Sequence, residues 1–176
     1  QNYNASDLQS YLPTVLLAKR ALEKMQEELQ SPRVNVSDPR TYEIMRKQNR
    51  AEPIKQLRKE SFRTRMWLRE TSGKISTAET EYQRLKRALD EEDSQCLLMS
   101  RTEGLVDKAG YRTMMRNMQA LIDSMEVLLD LIPSEEREIA KVVSDTKSTP
   151  PLSFPLSTRF KPVAKTPVAA AAGDGA

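Results

Sequence analysis

From residue 8 onward the apolar residues recur in steps of three and four, and that spacing limits the fold more than any other feature. Leu8, Tyr11, Val15, Ala18, Leu22, Met25 and Leu29 fall on one face of a helix. Pro13 sits near the start, where its missing N–H has no helical partner to lose. Ser31-Pro32 stops this helix, because the residue before a proline avoids the α region. Asp38-Pro39 reads as a cap followed by Pro at the first helical position, opening a short helix that carries Tyr42 and Met45. Glu52-Pro53 restarts the chain as a longer helix from about Ile54 to Glu70, and Ser72-Gly73 ends it. Its apolar residues, among them Leu57, Phe62, Trp67 and Leu68, spread over more than one face.

A third long helix is expected to begin at Ser76-Thr77-Ala78-Glu79, which fits a capping box. Ile75, Ala78, Tyr82, Leu85, Leu89, Cys96 and Met99 follow heptad positions, with Glu92 the only charged intruder. The pattern breaks around Thr102 to Gly104. A fourth helix then carries Tyr111, Met114, Met118, Leu121, Met125, Leu128 and Ile132, and Pro133 closes it. Glu135 to Val143 reads as a short helical coda. Alternation at period two is absent, and so is any solenoid repeat. The expectation is an all-α fold, an up-down-up-down four-helix bundle over residues 1–144 with helices of roughly 24–33 Å. Residues 145–176 form a second unit, an extended Pro-rich C-terminal tail holding five of the ten Pro.

Composition enters by exclusion. The 176 residues include no His, which removes His-based metal sites, His general bases and Ser-His-Asp triads. One Cys cannot close an intrachain disulfide and leaves the redox compartment open. The longest uncharged stretches, Leu8–Ala18 and Ser148–Thr158, fall well short of the ~20 apolar residues a spanning helix needs. A chain starting at Gln1 rather than Met is read as a processed form or a fragment. No Gly-rich phosphate loop or EF-hand spacing occurs, so neither an enzyme nor a cofactor or small-molecule substrate is expected. The run Asp90-Glu91-Glu92-Asp93 points in successive directions around a helix and reads as a solvated helix end. Cys96 and the methionines at stripe positions read as core packing, and Trp67 likewise.

The mild net charge of +3 conceals an uneven distribution. Between Pro39 and Arg69 ten basic residues face three Glu, a net of +7, whereas Glu79–Glu103 holds seven acidic and four basic residues, a net of −3. Two readings stand. The basic window can pair with acidic neighbours inside the bundle, or it can form an electrostatic docking face for an acidic partner. The residues of that face would be Arg46, Lys47, Arg50, Lys55, Arg58, Lys59, Arg63, Arg65 and Arg69. Nucleic acid is the weaker partner, since nothing matches a recognition-helix, finger or single-strand module.

The tail is richer in large apolar groups than a flexible linker. Pro150-Pro151-Leu152-Ser153-Phe154-Pro155-Leu156 mixes Pro with Leu and Phe, and Arg159-Phe160-Lys161-Pro162 follows. Extended Pro-rich segments have little conformational entropy left to lose on binding. Phe154, Leu156, Arg159, Phe160 and Lys161 are therefore expected to lie in a groove on a neighbouring protein, with the tail disordered when alone.

The layout resembles the PsbQ-like family, extrinsic subunits on the lumenal side of photosystem II. It is carried by the helix Leu8–Leu29, the connecting stretch with Tyr42 and Arg46, and the Pro-initiated basic run Glu52-Pro53-Ile54-Lys55-Gln56-Leu57-Arg58-Lys59-Glu60. Leu85-Lys86-Arg87-Ala88-Leu89-Asp90 and a last helix from Tyr111 to Leu131-Ile132-Pro133 complete it. The Pro-rich N-terminal arm of plant members and the lipid-bearing Cys of cyanobacterial members are not seen, which makes an algal version the nearer relative. The resemblance implies a non-catalytic protein of the chloroplast thylakoid lumen, peripheral to the membrane. It would dock on acidic surfaces of a larger membrane complex and help retain calcium and chloride there. Because residues after Asp145 lie outside the family pattern, a related subunit of photosystem I or the chloroplast NDH complex stands as an alternative. A soluble helical adaptor in a cytoskeletal or other large assembly is the alternative from a different class.

Overall fold

The computed structural model describes residues 5–149 and 151–157, and within them the chain is all-helical. Six α-helices follow in order: α1 (Ala5–Gln30), α2 (Pro39–Asn49), α3 (Leu57–Thr71), α4 (Ile75–Ser100), α5 (Lys108–Asp130) and α6 (Ser134–Asp145). A single 3-10 turn, Ile54–Gln56, leads into α3. The boundaries follow local chemistry. α1 ends one residue before Ser31-Pro32. At α2 the Asp38 carboxylate accepts the Arg40 backbone N–H at 2.9 Å, with Pro39 at the first helical position. Gly73 and Gly104 take φ of +65° and +82°, which a side chain would resist, and they separate α3 from α4 and α4 from α5. At α5 the Asp107 carboxylate accepts from Gly110 N–H at 2.7 Å.

One expected cap does not form. α4 starts at Ile75 with Lys74 in the cap position and no side-chain cap bond. Glu79, the acid of the anticipated capping box, is instead drawn to Arg65 at 2.5 Å and Gln83 at 3.0 Å.

α1 packs against α3, α5 and α6, while α4 packs against α2, α3 and α5. The contacts α1–α3, α3–α4, α4–α5 and α5–α1 therefore close a circuit around one apolar core. The stripes read from the sequence fill it: Leu8, Tyr11, Val15, Leu22, Met25 and Leu29 from α1 meet Leu57 and Leu68 from α3, Leu85 and Met99 from α4, and Met114, Met118 and Met125 from α5, with Leu12 added to the α1 face. Trp67 and Cys96 are buried in the same core. Ile75, expected on the stripe of α4, is half exposed because it sits at the helix start.

The segment after α6 departs most from expectation. Packing on the bundle continues beyond the end of α6. Leu152 packs against the core and lines a small pocket together with Ala21, Met25 and Ile54, and Phe154 is buried in the chain's own core. Val34 and Leu156 then form an isolated antiparallel bridge, with Asn35 N–H donating to the Pro155 carbonyl and Ser157 N–H to the Arg33 carbonyl, both at 2.8 Å. On the other side of this loop Val106 N–H donates to the Ser37 carbonyl at 2.8 Å.

Candidate functional site

The basic window forms α2, the 3-10 turn and α3, and both helices lie against the acidic α4. That placement splits the nine cations in two. Arg50 reaches Asp93 at 3.6 Å, Arg58 pairs with Asp90, Arg63 holds Glu60 at 3.3 Å, and Arg65 holds Glu79 at 2.5 Å. Arg65 also lies over the rings of Phe62 and Tyr82, its guanidinium carbon 4.5 and 4.9 Å from their centroids. These four are committed within the fold. Hydrogen bonding by Gln83, with the nearby charges of Arg65 and Arg69, holds the Glu79 carboxyl below its ordinary range.

The remaining cations are used differently. Arg46 is half-buried, with its Nε enclosed and without a hydrogen-bond partner. Lys47, Lys55, Lys59 and Arg69 are exposed and make no ion pair among the described residues. Lys55 stands with Arg50 and Arg58 on the rim of an open cleft of about 520 Å³, whose opposite wall carries Leu89, Asp90 and Asp93 from α4. The cleft is thus lined by three cations and two carboxylates, and both carboxylates already face an arginine. Internal pairing and an outward cationic surface coexist here, and different residues supply each.

The tail residues fall elsewhere. Phe154, expected against a neighbour, is covered by this chain's own core, because the bridge to Val34 brings it back onto the bundle. Leu156 is 56% exposed on the outside of that bridge. Arg159, Phe160 and Lys161 lie outside the described residues.

A second polar group was not anticipated. The run Asp90–Asp93 is in the middle of α4, not at a solvated end, and its residues do point in different directions. Asp90 and Glu91 are exposed, Asp93 is half-buried, and Glu92 is fully buried. Asn49 of α2 donates its Nδ2–H to Glu92 Oε2 at 2.7 Å, and the Cys96 thiol donates to Glu92 Oε1 at 3.2 Å. Burial, reinforced by the Glu92 charge, pushes the Cys96 thiol well above its ordinary pKa, which leaves it inert toward electrophiles. The signal for this cluster was present as a charged residue at a core position of the α4 stripe.

Comparison of the chain with protein-family models, curated proteins and solved structures finds no match. No described helix is long and apolar enough to cross a membrane.

Proposed function

We propose that this chain is a non-catalytic structural subunit that docks on an acidic surface of a larger assembly. The observation that carries the reading is the set of exposed cations that make no ion pair among the described residues: Lys47, Lys55, Lys59 and Arg69, the last of which also lies near Glu79. Charges committed to partners on the same chain add little to association, whereas free cations steer an acidic partner and lower its dissociation. The closed circuit of α1, α3, α4 and α5 supports an up-down-up-down four-helix bundle as the rigid body that presents them. The layout shared with PsbQ-like subunits makes the lumenal face of photosystem II the assembly to test first, with the chain peripheral to the thylakoid membrane.

The test is rebinding to salt-washed algal thylakoid membranes. Wild-type protein should rebind at low ionic strength and be released as salt rises, since exposed charges are screened beyond about 10 Å at 0.1 M. The quadruple variant Lys47→Glu, Lys55→Glu, Lys59→Glu, Arg69→Glu should keep its helical circular dichroism and lose at least about tenfold in affinity, roughly 1.4 kcal/mol. Rebinding equal to wild type would sink the docking face. Absence of wild-type rebinding to photosystem II membranes would sink the assignment to that complex.

A further inference from the structure

The joint between α2 and α4 encloses a carboxyl group that docking does not use. Glu92 has no exposed surface, and its oxygens receive one amide donor and one thiol donor. An ionised carboxylate offers about four acceptor sites, and a thiol is a weak donor. The cluster as a whole is short of donors. Asn49 Nδ2 is shared with Asp93 Oδ1 at 3.3 Å, and Asn49 Oδ1 is itself buried without a partner.

No cation on the surrounding helices neutralises Glu92. On α2, Arg50 reaches Asp93, the buried Nε of Arg46 has no hydrogen-bond partner, and the Tyr42 hydroxyl donates to the Val36 carbonyl at 2.5 Å. On α3, Arg58 is held by Asp90. On α5, the Tyr111 hydroxyl donates to the Leu29 carbonyl at 3.0 Å, and Asn117 reaches only the Glu91 backbone at 3.5 Å. On α4 itself, Asp93 adds a like charge. A buried charge in that position is costly, and protonation of the carboxyl removes it.

We propose that the proton on Glu92 is a latch for α2: with Glu92 neutral, α2 is seated on α4, and ionisation of Glu92 loosens α2 together with the loop that precedes it. The sign follows from the surroundings. Burial raises the Glu92 pKa to about 7, against hydrogen bonds from Cys96 and Asn49 that lower it and the Asp93 charge that raises it further. In an unfolded chain the same carboxyl ionises near its ordinary value of 4.5. The seated state is therefore most favoured at acid pH and is progressively disfavoured as pH climbs from there through about 7. α2 is the element released because it supplies Asn49 and is only 11 residues long.

Hydrogen exchange of the full chain, corrected for the intrinsic pH dependence, reads this directly. Between pH 5.5 and 8.5 the amides of Tyr42 to Asn49 should lose at least about tenfold in protection, while those in the middle of α1 and α5 do not. Glu92→Gln, an isosteric group that cannot ionise, should abolish that loss. Asp93→Asn should retain it with a midpoint moved to lower pH, because a like charge has been removed. Flat protection in wild type overturns the latch, and so does an undiminished pH dependence in Glu92→Gln. If Glu92→Gln fails to fold, the Asp93→Asn midpoint decides: an unmoved or raised midpoint overturns the proposal.

Discussion

Arg65 stands in the basic window, yet its side chain is only 16% exposed and is spent inside the molecule. It bridges α3 to α4 through Glu79 while covering the Phe62 and Tyr82 rings, which meet edge to face at 5.8 Å. A guanidinium can do both because it is flat and delocalised, whereas an ammonium is a compact, strongly hydrated point charge. Arg65→Lys keeps the charge and loses the stacking. It should lower unfolding stability by about 1 kcal/mol in urea titration, with rebinding to membranes unchanged. A stability equal to wild type would mean that the stacking contributes nothing. The difference between Arg65 and Lys59 is invisible in composition: both count as one positive charge, and only their positions relative to α4 separate them.

At the scale of elements, α2 depends on its first turn. The Asp38 carboxylate accepts the Arg40 backbone N–H at 2.9 Å and also binds the Arg40 guanidinium at 2.7 and 3.0 Å. Asp38→Ala should cost about 1 kcal/mol of stability at pH 7, the ordinary value of a capping side chain. Hydrogen bonding to Arg40 holds the Asp38 carboxyl below its ordinary 3.8, so its contribution is present above that value and is lost as pH falls through the folded-state pKa. Urea titrations of the two proteins at pH 7 and pH 2.5 check this: the gap should be smaller at pH 2.5 than at pH 7. Asp38-Pro39 was legible because a cap is a local object, complete within three residues. The same holds for Ser31-Pro32, Ser72-Gly73 and Pro133, which sit at the ends of α1, α3 and α5. The capping box expected at Ser76–Glu79 shows the limit of local reading: α4 already starts at Ile75, so Ser76 lies inside the helix, and Glu79 pairs with Arg65, fourteen positions earlier in sequence. Glu92 was legible as an exception to the α4 stripe, but its partner Asn49 lies 43 residues away and carries no pattern that points to it.

For the whole molecule, the same locality explains why the tail was read as a separate unit. A β-bridge between Val34 and Leu156 joins residues more than a hundred positions apart, and one bridge leaves no periodicity behind. Pro-rich sequence excludes helix but does not exclude packing, and Phe154 is only 7% exposed. The connection matters mechanically, because Leu152 shares a small pocket with residues of α1 and the 3-10 turn, and residues 155 and 157 hydrogen-bond the loop between α1 and α2. The tail thereby fastens that loop at residues 33 and 35, while Val106 fastens it at Ser37. Two truncated chains separate fastening from mere presence. A chain ending at Ser157 keeps Leu152, Phe154 and both backbone hydrogen bonds to residues 33 and 35, whereas a chain ending at Asp145 loses them all. Burying a Phe is worth about 1.5–3 kcal/mol, and each backbone hydrogen bond adds about 1 kcal/mol or less after its ordering entropy. The shorter chain should therefore be less stable by about 2–4 kcal/mol in urea. Its α2 amides should exchange faster than those of the longer chain even at pH 5.5, where Glu92 is protonated and cannot be the cause. Equal stability of the two truncations would make residues 146–157 a passenger on the bundle.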